Sequence, residues 1–420
     1  MVRTYVARAL ENARVGLLMA SGVLAAAQIG KTIISIPLIR AEMGIGLDLA
    51  GLIVGIFAAL GATFGIGAGV LVQSIGARRS LAGGMTCIAI GNLIGSAAPS
   101  EWYLLFGRFT EGVGFLGVVL TIPSLLATSV DREKRDFVMA LWSAYMPAGI
   151  ALMLLLAPLL SAIGWRPLWI ASAGVAGLFA VLLFVTVPST TAKADQQRAR
   201  WFEDVMTIVR RPYCMALALA FFAFSFQIFS MMFALPLVLA SVHGLSVTSA
   251  ALLSAAMLAV AAMGNVSSSF LLRSGVPIWA NIASAFFFFG VSSFVVYATA
   301  TPLPATLVFA SLALGIGSLA PGALYAAAPD AAPQPNRISA TIGLLQQASN
   351  LGQFTGPFVL GLWAEHFGWS AVPGIVAPAA SFGLLAALSI RGLGYSRKTQ
   401  PVNTGVGQVT RSEGIHSQKI

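Results

Sequence analysis

Apolar residues run along this chain in long blocks, and short polar stretches separate them. The blocks lie near 15–39, 50–73, 80–98, 102–128, 137–162, 168–187, 213–241, 247–272, 277–299, 302–328, 339–364 and 370–391. Each is about the 20 residues a helix needs to cross the hydrocarbon core of a bilayer. Lipid offers the backbone no hydrogen bonds, so a crossing segment must be helical or belong to a closed barrel. Barrel strands are short and alternate apolar with polar residues, and these blocks do not. The pattern predicts an all-α membrane protein of twelve transmembrane helices.

Charge between the blocks tests that count, because Lys and Arg gather in cytoplasmic loops. With the first residue inside, the cytoplasmic segments hold Arg3, Arg8, Arg14, Arg78, Arg79, Arg132, Lys134, Arg135, Lys193, Arg198, Arg200, Arg210, Arg211, Arg273, Arg337, Arg391, Arg397, Lys398, Arg411 and Lys419, which is 20 of the 24 basic residues. The outer side has Arg40 and Arg166, and Lys31 and Arg108 fall inside the membrane. One span more or fewer would scramble the split. Both termini are therefore expected to be cytoplasmic, and the compact chain without a targeting signal is expected in a cell inner membrane.

The longest central polar stretch divides the spans six and six. The expected organisation is a cytoplasmic N-terminus (1–14), a six-helix half (15–187), a cytoplasmic linker (188–212), a second six-helix half (213–391) and a disordered cytoplasmic tail (392–420). In the linker, Trp201, Phe202, Val205, Met206 and Val209 have helical spacing among arginines. That suits an interfacial helix, and a plain linker is the other reading. The halves echo each other. Arg135 and Gly164-Trp165 recur as Arg337 and Gly368-Trp369, at offsets of 202 and 204 residues. Two parallel repeats are one plan on which transporters are built.

Composition agrees. Hydrophobic residues make up 58% and charged residues 9% of 420, with mean hydropathy +0.87, where soluble domains carry roughly 25% charge. The net charge of +10 sits in the gaps between spans, so it points to anionic lipid rather than nucleic acid. Cys87 and Cys214 share no motif and read as small buried hydrophobes. No metal site, cofactor or nucleotide-binding loop is expected.

Between spans two and three stands GVLVQSIGARRSL. Gly69, Leu71, Gly76, Arg78 and Leu81, with Arg79 as second basic residue, resemble the loop signature of the major facilitator superfamily. Gln73 stands where that family usually has an Asp that latches the halves by charge. GRFTEGVG, with Arg108, Glu111, Gly112 and Gly114, resembles its second signature. Gly343, Gly352, Gly356 and Pro357 have the spacing of its antiporter signature, but in span eleven rather than span five, which argues against a standard drug–proton antiporter. Leu141-Trp142-Ser143, with Arg78-Arg79-Ser80, is similar to cyanate and nitroimidazole-type permeases. The resemblance implies two six-helix halves that rock about a midplane site, in a monomeric transporter of a small molecule, by symport or antiport.

Ionised groups inside a bilayer are costly and by default point to function. Glu111 is the lone acidic residue within a span, three residues from Arg108 and able to pair with it on one helix face. Lys31 lies eight residues from Ile39, about 12 Å at helical rise, and Arg108 six from Trp102, about 9 Å. The three groups thus share a depth in the outer half. Two cations beside one carboxylate suit an anionic organic solute, with protons as a conceivable coupling partner. A structural ion pair, or Lys31 reaching outward along its stem, is the plainer account. Gln346, Asn350 and Gln353 share a face of span eleven, as cavity lining or interhelix glue. Gln227 and Tyr325 are further cavity candidates. Efflux of drugs or metabolites is the alternative within the class. A receptor or membrane enzyme is the remote one, since the spans lack clustered catalytic groups.

Overall fold

The structure, a computed structural model, describes residues 2–129, 138, 142, 144–189, 206–334 and 337–399 (backbone alone for 2–12, 66, 68–74, 127–129, 339 and 394–399). Its helices are α1 (Val2–Met43), α2 (Leu47–Gly55), α3 (Ala59–Ile75), α4 (Ala77–Ser96), α5 (Glu101–Ser129), α6 (Tyr145–Leu155), α7 (Ala157–Ile163), α8 (Trp165–Thr186), α9 (Pro212–Ser241), α10 (Val247–Arg273), α11 (Ile278–Val296), α12 (Leu303–Gly317), α13 (Leu319–Ala331), α14 (Ile338–Phe367) and α15 (Pro373–Thr399). No strand occurs among the described residues. Among the described residues, each of the twelve apolar blocks contains one helix or a broken pair.

Among the described residues, nine crossings are long and apolar enough for a bilayer, and the pair α6–α7, bent by 44°, makes ten. The two that fall short, α4 and α14, carry Arg78, Arg79 and Asn92, and Gln346, Gln347, Asn350 and Gln353. Both are wedged between other helices: α4 between α5 and α8, α14 between α9 and the α2–α3 pair. Asn92, Asn350 and Gln353 are buried against protein, while Arg79 is exposed at the start of α4, so hydropathy alone undercounts both helices. The broken crossings have local causes. Pro158 opens α7, and a 3₁₀ turn at Ile56–Ala58 separates α2 from α3. Membrane helices tolerate such breaks where neighbours cover the freed backbone.

Two boundaries differ from the sequence reading. Residues 2–14, expected as a lead-in, are already helical in α1, and α15 runs on to Thr399, past the expected end at 391. The interfacial helix of the linker, the loop at 130–136 and the tail beyond 399 lie outside the described residues, apart from a helical turn at 206–209.

The twofold plan shows in the backbone. Among the described residues, six glycines adopt positive φ: Gly44, Gly76 and Gly164, then Gly244, Gly275 and Gly368. They pair in chain order, one at the same joint of each half, where a β-carbon would be strained. The halves meet along two seams, α14 against α2 and α3, and α10 against α6 and α7. Glycines make the first seam close. A β-carbon on Gly51 would lie 2.1 Å from the Pro357 carbonyl oxygen, and one on Gly361 would lie 2.2 Å from that of Leu47. At the Gly44 end of the bundle, the Glu365 carboxylate of α14 accepts the Leu47 N–H at 2.7 Å. There it meets the positive end of α2, and Arg40 Nη2 stands 3.9 Å away. This contact ties the halves together at that end.

Candidate functional site

Three ionisable side chains meet inside the first half, and all are fully buried: Lys31 from α1, and Arg108 and Glu111 from α5. Lys31 Nζ donates to Glu111 Oε1 at 2.9 Å and to Asn92 Oδ1 of α4 at 2.5 Å. Arg108 Nη1 donates to Glu111 Oε2, so one carboxylate bridges two cations. Arg108 also reaches the Ile53 and Gln28 carbonyl oxygens, each at 3.3 Å. Its Nη2 has no protein partner. Asn92 Nδ2 donates to Gln28 Oε1 at 3.0 Å and to the Ile88 carbonyl at 2.8 Å. Its amide is therefore oriented, with the oxygen toward the lysine.

Aromatic rings close the cluster. The Trp169 ring of α8 lies 3.7 Å from Lys31 Nζ, and its indole N–H donates to Ser35 Oγ at 3.1 Å. Phe57, in the 3₁₀ turn between α2 and α3, lies 4.6 Å from the Arg108 guanidinium carbon. Such faces stabilise a desolvated cation by about 2 kcal/mol. Small residues make the approach possible. A β-carbon on Gly91 would fall 2.6 Å from Glu111 Cγ, and one on Gly95 would fall 2.3 Å from the Trp169 ring.

Electrostatics make this arrangement unusual. With all three groups ionised, two positive charges share one negative charge in a dry interior. Burying an unpaired ion costs several kcal/mol, and one cation's worth of charge is left over.

The other expected residues lie elsewhere. Tyr325 Oη donates to Gln346 Oε1 at 2.6 Å, in the second half. Gln347 Nε2 donates to the Ala62 and Thr63 carbonyls across the seam, so it binds the halves together. Asn350 packs where Gly61 has no side chain, on the same seam. Gly352 and Gly356 let α14 approach α9, with would-be β-carbons 2.3 and 2.4 Å from the Phe222 and Phe226 carbonyls. Pro357 supplies the carbonyl that Gly51 meets, so this glycine run serves packing on both sides of α14. Gly76 takes φ 88° at the α3–α4 turn, and the Arg78 guanidinium carbon lies 4.0 Å from the Phe184 ring. Gly69 lies within α3; Arg79 is at the start of α4. Gln227 lies inside the second half, lining a small cavity.

Sequence reasoning missed Asn92, Gln28 and Trp169. Asn92 had a signal: it is the one amide of span three and sits between Gly91 and Gly95 in GNLIG.

Fold and site define a multi-pass helical membrane carrier built of two six-helix repeats. Residues 18–296 match the family profile of the Major Facilitator Superfamily. The chain belongs to that superfamily, a family of transporters and not of enzymes. It is 25% identical over 318 residues, 72% of this chain and 76% of the other, to a Bacillus subtilis protein named as a niacin/nicotinamide transporter, NiaP. It is 27% identical over 173 residues to the multidrug transporter mfsC of Aspergillus fumigatus, covering 40% of this chain. The match spans 33% of that fungal protein's length. The fold matches a bacterial homolog of the human lysosomal transporter Spinster, crystallised inward-facing and unoccupied, with TM-score 0.71, 17% identity, and 91% and 95% of the two chains covered.

Proposed function

We propose that this chain carries a small organic anion across the membrane by alternating access, with Lys31, Glu111 and Arg108 as the charge-sensing element. One observation carries the reading: two buried cations share a single carboxylate, and one guanidinium nitrogen lacks a partner. A substrate carboxylate or a comparable acid group compensates the surplus charge. Glu111 is the one carboxylate in the cluster, and a proton moving with or against the anion would change the balance by one charge. The cluster is sealed in this conformation, behind Phe57, Trp169 and Asn92. Admission of substrate requires the rocking that opens the half-to-half seam. On the orientation read from the loops, the Gly44 end is the outer one, and the Glu365 contact holds it closed.

The relative named for niacin and nicotinamide supports this reading only through niacin, a small acid, since nicotinamide is uncharged. The fungal multidrug relative supports a second reading, export of apolar compounds driven by protons on Glu111.

The two readings part on Lys31→Ala in proteoliposomes. For an anion carrier, uptake of the transported acid falls at least about 100-fold, the equivalent of roughly 2.7 kcal/mol of lost charge pairing. Uptake kinetics unchanged from wild type would remove the anion reading.

A further inference from the structure

The second half contains a small cavity between α9, α11, α12 and α15. Gln227, Met231, Ser292, Ser293, Tyr297 and Ala313 are among its lining residues, and it has room for about one water molecule. These helices are the repeat partners of α1, α4, α5 and α8, the four that hold the Lys31 cluster.

The correspondence extends to single positions. The left-handed glycines that follow α1 and α9 are Gly44 and Gly244, 200 positions apart. The same offset takes Lys31 to Met231. Helices α5 and α12 begin at Glu101 and Leu303, 202 positions apart, which takes Glu111 to Ala313. Gly76 and Gly275 take Asn92 to Val291, next to Ser292. Where the first half has an ammonium and a carboxylate, the second has a thioether and a methyl group, and the cavity lies between them.

Its polar lining is underused. Gln227 is 1% exposed, and neither its Nε2 nor its Oε1 has a protein partner. Ser292 is 1% exposed, and its hydroxyl has none either. Ser293 differs, since its hydroxyl donates to the Gly290 carbonyl at 2.7 Å. Leaving a buried amide or hydroxyl unsatisfied costs about 1–3 kcal/mol for each group. A cation is a poor occupant, because no carboxylate lines the cavity and a buried ion needs a counter-charge. A neutral molecule that both donates and accepts satisfies all three atoms.

We propose that this cavity is a permanent internal water site, with the water bound by the Gln227 amide and the Ser292 hydroxyl. The two halves then solve one packing problem differently: the first fills the position with charge, the second with water. The site does not depend on the substrate reading.

Hydroxyl radicals made in place by X-ray radiolysis label side chains that touch ordered water, even when they are shielded from bulk solvent. Met231 and Met257 are both 4% exposed, and only Met231 is among the cavity-lining residues. In wild-type protein, Met231 should be oxidised at least tenfold faster than Met257. Gln227→Leu should bring Met231 down to the Met257 rate. Ser292→Ala, the milder change, should lower it severalfold, and it serves if the leucine variant does not fold. Equal rates for Met231 and Met257 in wild type would overturn the proposal. So would full Met231 labelling in a folded Gln227→Leu or Ser292→Ala protein. Protection of Met231 on adding a transported acid would overturn it too, by placing a substrate group in the cavity.

Discussion

Glu111→Gln should be among the most damaging single substitutions in this protein. The carboxylate is the sole counter-charge for Lys31 and Arg108, both fully buried. Removing one partner of a buried ion pair costs about 3–5 kcal/mol, because the remaining charge is stranded. Here two cations would be stranded together. Glu111→Gln should lower the thermal midpoint of the purified carrier sharply and cut folded yield. Charge arithmetic gives a sharper expectation. Adding Lys31→Met to Glu111→Gln removes one of the two stranded cations, so the double variant should regain part of the lost midpoint, with Arg108 still lacking its counter-charge. Lys31→Met alone balances Arg108 against Glu111 and should fold well. Transport should be lost in all three. A Glu111→Gln protein with wild-type midpoint and yield would show that the cluster is not held by charge. Melting curves followed by size-exclusion chromatography make the comparison.

Gly51→Val should abolish transport while leaving each half folded. A β-carbon there would lie 2.1 Å from the Pro357 carbonyl oxygen and 2.7 Å from its carbon, both backbone atoms that no side-chain rotation can move. Overpacking of this kind costs about 1–3 kcal/mol. The clash falls between the halves rather than within one. The strain should therefore fall on the state in which α2 and α14 are in contact, the one seen here. Uptake should drop at least about tenfold, with folded yield near wild type. Gly83→Val is the matched control, since a β-carbon there meets nothing within 4 Å. Equal loss in both variants would mean that a β-branched side chain in a helix, not the seam, is responsible.

Much of this architecture was legible in the residue pattern, for a physical reason. Lipid imposes a length and an apolarity on each crossing, and those constraints appear directly in one dimension. The expected helix order holds among the described residues. Helices α4 and α14 show the limit of hydropathy, since polar residues such as Asn92 and Asn350 face protein and lower the score of a crossing. The meeting of Lys31, Arg108 and Glu111 was also accessible, because helical rise gives depth and depth selects which groups can pair. Which helix faces which neighbour is another matter. Asn92 and Trp169 enter the cluster from α4 and α8 through the packing of Gly91 and Gly95, a relation among four helices that spacing along one chain does not encode. For the same reason the glycine run of α14 matched a family motif by spacing, while its physical role is contact with α9 and α2. Gln227 read as a cavity residue and does line a cavity, but one internal to the second half.

The most direct test of the account pairs carboxylic acids with their own primary amides. Each pair shares a skeleton and differs by one negative charge. Binding to the purified wild-type carrier by titration calorimetry, over a panel that includes nicotinate and nicotinamide, isolates that charge. If the surplus positive charge of the Lys31 cluster selects the solute, the acid of the transported pair binds at least about tenfold more tightly than its amide, a difference of roughly 1.4 kcal/mol. An amide that binds as tightly as its acid, in the pair the protein transports, would contradict the account.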